Sequence, residues 1–189
     1  NRLHPLSFTE TSIQVFVNGF PQSELNSNGF PTDLVIKDLS VLSEKNLELN
    51  EIGLNNIFNY SQHPFVAQNT SEMKNGIYIH IPNEMVIEKP LHLLWVITGN
   101  QPIQVFPRVL IQCDDSARVT IIEHFVTLST VQTFTNAVTE IQMGENAKVE
   151  YLRIQNEGES VYHISALGVC QDAHSQFNGH SLTFGGKLT

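Results

Sequence analysis

An all-β chain wound into a parallel β-helix is what the sequence predicts, on three observations. The clause "IQCDDSARVTIIEHF" from Ile111 returns as "IQMGENAKVEYLRIQ" from Ile141, with Ile, Gln, Ala and Val at matched places. Two apolar anchors eight residues apart recur four times: Ile79 and Ile87, Ile111 and Val119, Ile141 and Val149, Val169 and Phe177. Successive copies step by 32, 30 and 28 residues. Between the anchors sit the turn formers "IPNE", "CDDS", "MGEN" and "CQDAH", which mark a corner in each copy. A unit of this kind cannot hide its own apolar face. Stacked on equivalent units, it buries that face and bonds each strand to the strands above and below. A propeller blade needs a longer repeat, roughly 40 to 45 residues, and a β-sandwich gives no reason for anchors in a shared register.

Along the chain, residues 1–62 read as a mixed α/β lead-in and residues 63–189 as one continuous β-helix core. "SIQVFVNGF" alternates apolar and polar residues and ends on Asn18-Gly19, which predicts a hairpin. "DLSVLSEKNLELNEIGLNNIFNYS" sets Leu and Ile at mixed three- and four-residue spacing, with Ser40 or Ser43 as N-cap, which predicts one or two short helices. From Pro64 onward the expectation is strands. In the core, each corner is followed by a β-rich run, a polar loop such as "TGNQP", "LSTVQ" or "NEGES", and a further run that leads into the next copy.

With 189 residues and a hydrophobic content of 41%, the chain fills a core of its own. Its net charge of -9 repels phosphate backbones and anionic lipid, which excludes nucleic acid and membrane surfaces as partners. No apolar run approaches the roughly 20 residues of a spanning helix, and "NRLHPLSFTE" lacks the basic-then-apolar plan of a signal peptide. The expectation is a soluble, cytoplasmic protein. The start without Met and the stop at "FGGKLT" predict a piece of a longer chain.

Candidate functional residues are few. Cys113 and Cys170, the only 2 cysteines, fall two rungs apart by the anchor register. At 4.7 to 4.9 Å per rung that is roughly 9.5 Å, beyond the ~7 Å a disulfide bridges. They are expected as reduced, small corner-filling residues, which suits the cytosol. The same register sets His92 and His124 in one column on consecutive rungs, where stacked imidazoles could bind a metal. The neighbouring Leu91, Leu93 and Phe125 are apolar, so the expectation is solvent-facing or hydrogen-bonded histidines instead. Glu123 and Arg153 share a column as a cross-rung ion pair, worth at most about 1 kcal/mol if exposed. The tail "SLTFGGKLT" is no phosphate loop: Ser181 stands where the first Gly is needed and Leu188 where the hydroxyl is needed. Gly185 and Gly186 are expected to relieve crowding at a corner. Glu72, Glu84 and Glu88 gather loosely with Asn69 and Asn83 but form no acid–base motif, and no Ser or Cys stands in a nucleophile elbow. No residue is assigned a catalytic, cofactor-binding or metal role.

The stretch "PFVAQNTSEMKNGIYIHIPNEMVIEKPLHLLWV" resembles the SufD family in its Pro-Phe, its Asn-Thr, its Gly before an Ile-His-Ile-Pro strand and its Glu-Lys-Pro-hydrophobic-His close. "EHFVTLSTVQTFTNAVTEIQMGENAKVEYLRIQ" and "SQFNGHSLTFGGKL" continue the resemblance, which runs from about Ser12 to the last residue. The related SufB family looks different at "IEKPLHLLWV" and "NAVTEIQMGENAKVEY". The resemblance implies a right-handed parallel β-helix and a subunit of the SUF iron-sulfur cluster assembly complex. It also implies pairing with a SufB-like paralogue and contact with a SufC-like ABC ATPase, without chemistry of its own. The family's Cys- and His-bearing motif and its ATPase-contacting helical segment lie beyond Thr189. No functional residue is therefore carried over, and no cofactor is expected in this fragment; the iron-sulfur cluster is handled by the assembled complex.

Pairing also has a physical motive, since an open rung invites strand addition; two β-helices would join edge to edge, or one would form a homodimer in isolation. The alternative reading is a carbohydrate-active β-helix enzyme of pectin-lyase-like architecture. That reading wants aspartates gathered on one outer face, and this chain is poor in aspartate. A secreted adhesin β-helix would want a secretion signal and outward Ser, Thr and Asn ladders.

Overall fold

The computed structural model describes residues 10–27, 30–40 and 57–189. They wind into about four turns of a β-helix. One wall is formed by β1 (Ser12–Val17), β5 (Leu91–Ile97), β8 (Arg118–Thr127), β10 (Lys148–Asn156) and β12 (Gln176–Thr183), each parallel to the next. The other is formed by β4 (Ile77–Ile81), β7 (Arg108–Cys113), β9 (Thr133–Met143) and β11 (Val161–Gln171), also parallel, with the short β6 (Ile103–Val105) on the first residues of β9.

The anchors are the register. Ile79, Ile111, Ile141 and Val169 lie directly opposite one another across β4, β7, β9 and β11. Val119, Val149 and Phe177 do the same across β8, β10 and β12, and the Ile87 amide donates to the Arg118 carbonyl beside them. All eight belong to or pack against one interior cluster. Within it Phe16, Trp95 and Phe125 stack, with ring centroids 4.0 and 6.3 Å apart.

The corners are as regular as the strands. Glu84, Ser116, Asn146 and His174, each five residues after a first anchor, adopt φ of 62, 59, 58 and 61°. One left-handed residue per turn reverses the chain, and it is bonded to the next: the Glu84 amide donates to Asp115 O, Ser116 to Glu145 O, and Asn146 to Ala173 O. Gly144 is required beside this column, since a Cβ there would lie 2.4 Å from Asp115 Oδ1 and 2.8 Å from the Asp115 amide nitrogen.

The N-terminal side of both walls is closed by antiparallel strands. Asn18 and Gly19, at φ 52 and 85°, turn β1 back into β2 (Phe20–Pro21), the hairpin the sequence predicts. On the other wall β3 (Val35–Asp38) runs antiparallel to β4. Such strands blunt a sheet edge that would otherwise template further pairing.

Strands do not begin at Pro64. Pro64–Glu72 is a helix, α1, with proline in its first turn, where a missing N–H costs nothing. Ala67, Gln68 and Glu72 favour helix, and they outweigh the adjacent Phe65 and Val66, which on their own suggest an apolar strand. Of the span 38–61, over which one or two short helices are expected, residues 41–56 lie outside the described residues. Among the described residues no helix is long and apolar enough to cross a membrane.

Candidate functional site: a polar interior in the last turns

Strand alternation decides which side chains enter the β-helix. From Val119, β8 directs Ile121, Glu123 and Phe125 inward; from Val149, β10 directs Tyr151, Arg153 and Gln155 inward. One interior column therefore reads Leu93, Glu123, Arg153, Ser181 from turn to turn. The apolar filling gives way to charge within two rungs.

Glu123 is fully buried. Its carboxylate accepts the Tyr151 hydroxyl in a short bond and the Thr139 hydroxyl at 3.0 and 3.2 Å, with Arg153 Nη2 at 3.5 Å. Arg153 donates through Nε and Nη2 to the Tyr151 oxygen at 3.2 and 3.0 Å. Its Nη1 crosses the interior to Ser165 Oγ on β11 at 2.7 Å. The four groups make a strut from one wall to the other. Burial, reinforced by the Glu123 charge, holds the Tyr151 hydroxyl well above the usual tyrosine range, so it stays a donor. Burial works against the Arg153 charge, but the Glu123 carboxylate and the Tyr151 oxygen outweigh it and raise its pKa.

A second buried group lies beside the strut. Glu157 Oε2 accepts Gln155 Nε2 at 2.9 Å and meets His163 Nδ1 at 2.8 Å, and the His163 ring stands edge-on to Phe125 at 4.7 Å. Arg153, Gln155, His163, Ser165, Ser181 and Thr183 border a pocket of about 500 Å³. Tyr151, Leu167 and Phe177 border a smaller one, about 230 Å³, which shares Arg153 and Ser181. Chemically this interior offers fixed hydrogen bonds and one buried ion pair. The Ser165 hydroxyl accepts Arg153, and the Glu123 carboxylate is engaged on both oxygens. The arrangement suits holding a polar group more than attacking one.

Glu123 and Arg153 do share a column, as the sequence predicts, but they are no exposed ladder pair. The anchors already set their parity, since each lies four residues after an inward valine. Tyr151, Gln155, Glu157, His163 and Ser165 carry no motif and escaped sequence reasoning, although the same parity count from Val149 points Tyr151 and Gln155 inward.

His92 and His124 are not in one column. Val86 bridges Arg118, an offset of 32 residues, whereas Leu91 pairs with Ile121, an offset of 30. Two residues of "EKP" are taken up between them, so His124 faces Leu94 and the two histidines meet diagonally. Their rings still stack, 5.5 Å apart and 12° from parallel. Neither faces solvent: both are buried on the outer side of their wall, where Leu94, Val96 and Val126 cluster. Burial, and next the neighbouring His124, lowers the His92 pKa to about 4, and burial lowers that of His124.

Cys113 is buried in the interior, and burial, with Asp114 beside it, pushes its thiol up to about 12. Cys170 is an exposed strand residue, not a corner filler; Cys113 pairs with Met143 and Cys170 with Gln142, so they point to opposite faces, and both are free. Glu84 lies at a corner, Glu72 ends α1, and Asn83 accepts the Asp115 amide, while Asn69 lies on the buried face of α1. Gly185 and Gly186 take φ of 107 and 96°, and a Cβ on Gly185 would meet Glu157 O at 2.3 Å. Among the described residues no group of three or more His, Cys, Asp or Glu could hold a metal ion.

Comparison with known proteins supplies the family. Residues 95–189 match the model described as the SufBD core domain of the SUF system of FeS cluster assembly, and residues 6–93 match the SufBD protein N-terminal region. An iron-sulfur cluster assembly SufBD family protein of Synechocystis sp. is 31% identical over 187 residues, covering 93% of this chain and 41% of its own length. A SufBD family protein of Staphylococcus haemolyticus is 27% identical over 169 residues, covering 89% and 35%. One from Staphylococcus aureus strain USA300 is 28% identical over 148 residues, covering 76% and 30%. The chain thus spans less than half the length of these curated relatives. With one model matched on the core turns and the other on the residues leading into them, the chain belongs to the SufBD family of iron-sulfur cluster assembly proteins.

Proposed function

We propose that the chain is a SufD-type scaffold in a cytoplasmic SUF complex, pairing with a SufB-like paralogue and a SufC-like ABC ATPase and carrying out no reaction of its own. The cluster is the cargo of the assembled complex. The observation that carries this reading is the pair of family matches, which together run along nearly the whole chain. The "IEKPLHLLWV" stretch, which resembles SufD more than SufB, favours the SufD branch. The carbohydrate-active alternative is not favoured. Asp114 is bonded to His80 at 2.7 Å and Asp115 to the Glu145 amide at 2.8 Å, so both serve the corner.

Light scattering on the full-length protein, alone and mixed with the SufB-like and SufC-like proteins of its source, tests the proposal. A stable complex containing all three is expected. A full-length protein that stays monomeric and ignores both partners would overturn it.

A further inference from the structure

The cavity of about 500 Å³ in the polar part of the interior falls within the size of small-molecule sites, roughly 300–1,000 Å³. Its lining is chemically divided. On one side stand hydrogen-bond donors. Arg153 commits Nε and Nη2 to Tyr151 and Glu123, whereas Nη1, which carries two hydrogens, makes a single bond, to Ser165 Oγ. The Ser165 hydroxyl accepts that bond and keeps its own hydrogen to give, and the hydroxyls of Ser181 and Thr183 join it in the lining.

On the other side stands His163. Its side chain is 2% exposed and that of Glu157 0%. A carboxylate only accepts, so the 2.8 Å contact places the ring hydrogen on Nδ1. In the neutral ring Nε2 then carries a lone pair, and this nitrogen is buried without a hydrogen-bond partner. Buried acceptors are seldom left unmet, and the cavity that His163 borders is where a partner for Nε2 would lie.

The "FGGKL" segment fixes this side of the cavity. The Phe184 amide donates to Gln155 O and the Lys187 amide to Val161 O, both at 2.7 Å, and the His163 amide donates to Leu188 O at 2.8 Å. Gly185 lets the chain run close against Glu157, whose carbonyl oxygen a Cβ would meet at 2.3 Å. Donors and acceptor are therefore held in place before any ligand arrives, which lowers the cost of binding one.

We propose that this cavity binds a small hydroxy or amino acid, its carboxylate against Arg153, Ser165 and Ser181 and its hydroxyl or amine donating to His163 Nε2. The charges disfavour a simple anion. Arg153 already faces Glu123, and Glu157 lies behind His163, so an anion without a donor would leave Nε2 unmet beside a second buried carboxylate. This goes beyond the scaffold reading and stands or falls separately, since assembly with partners does not require it.

Ligand-observed NMR titration of the full-length protein tests it, with lactate and serine as probes. Acetate, which has the carboxylate and no donor, and glycerol, which has donors and no carboxylate, are the controls. Saturable binding of lactate or serine is expected, about tenfold or more tighter than either control, because each end of the ligand meets its own fixed partner. His163→Gln, which removes the ring acceptor, should weaken that binding about tenfold. Ser181→Ala, which removes one hydroxyl, is the milder variant should His163→Gln not fold, and should weaken it roughly threefold. A protein that binds neither lactate nor serine, that binds acetate or glycerol as tightly, or whose binding survives these substitutions unchanged would overturn the site.

Discussion

At the scale of single residues, the Glu123–Tyr151–Arg153–Ser165 strut is anchored on a fully buried carboxylate. Arg153→Met leaves the Glu123 carboxylate buried with only two hydroxyl donors, and removing one partner of a buried pair costs about 3–5 kcal/mol. Glu123→Leu combined with Arg153→Met should recover much of that loss, because no charge is then stranded. Urea unfolding of both variants measures the difference; a double variant no better than Arg153→Met alone would mean the charges are not the cause. His92 gives a second expectation. Its folded pKa of about 4 lies below the usual ~6.5, so the folded state binds fewer protons than the unfolded one. Its contribution is therefore complete above about pH 6.5 and is lost as pH falls towards 4, about 3 kcal/mol over that window. His92→Phe should flatten the acid slope of the urea midpoint, and an unchanged slope would locate the proton uptake elsewhere. Composition could not reveal that the Glu123–Arg153 pair lies inside. A charged residue reads by default as surface, and only the parity count from Val119 and Val149 contradicts that default.

At the scale of elements, corners and strands were legible because they repeat, and what deviates from the repeat was not. Four turns each place a left-handed residue five positions after the anchor, and "IPNE", "CDDS", "MGEN" and "CQDAH" announce it. The two residues absorbed at "EKP" broke the count on one wall only, which is why the histidines came out diagonal instead of opposite. α1 was hidden for a different reason: a nine-residue helix that buries Val66 and Asn69 alone has almost no apolar periodicity to read. The corner supports its own prediction. Gly144→Ala places a methyl group 2.4 Å from Asp115 Oδ1 and 2.8 Å from backbone, which should cost about 1–3 kcal/mol. Gly158→Ala, with nothing within 4 Å of its Cβ, should be close to neutral. Comparable losses in thermal unfolding at the two positions would show that corner crowding is not what selects glycine.

At the scale of the whole molecule, the turns share one continuous interior core. The column Ile79–Ile111–Ile141–Val169 crosses β4, β7, β9 and β11 and the column Val119–Val149–Phe177 crosses β8, β10 and β12, so an interior side chain in a middle turn touches the turns on both sides. In a stack whose stability is a sum of unit terms and nearest-neighbour terms, such a position weakens two interfaces at once. Ile111→Ala is thus expected to cost about 2–5 kcal/mol, at the high end because rigid walls collapse poorly onto the cavity. Val86→Ala, at a position 56% exposed beside the same corner, should change stability by less than about 0.5 kcal/mol. Urea unfolding of the full-length protein, with the slope as well as the midpoint recorded, decides it. A lowered midpoint with an unchanged slope for Ile111→Ala means that the turns still unfold together and only the stack has weakened. A shallower slope would mean that one turn can melt alone, and the columns of anchors would then not be what joins the turns into one body.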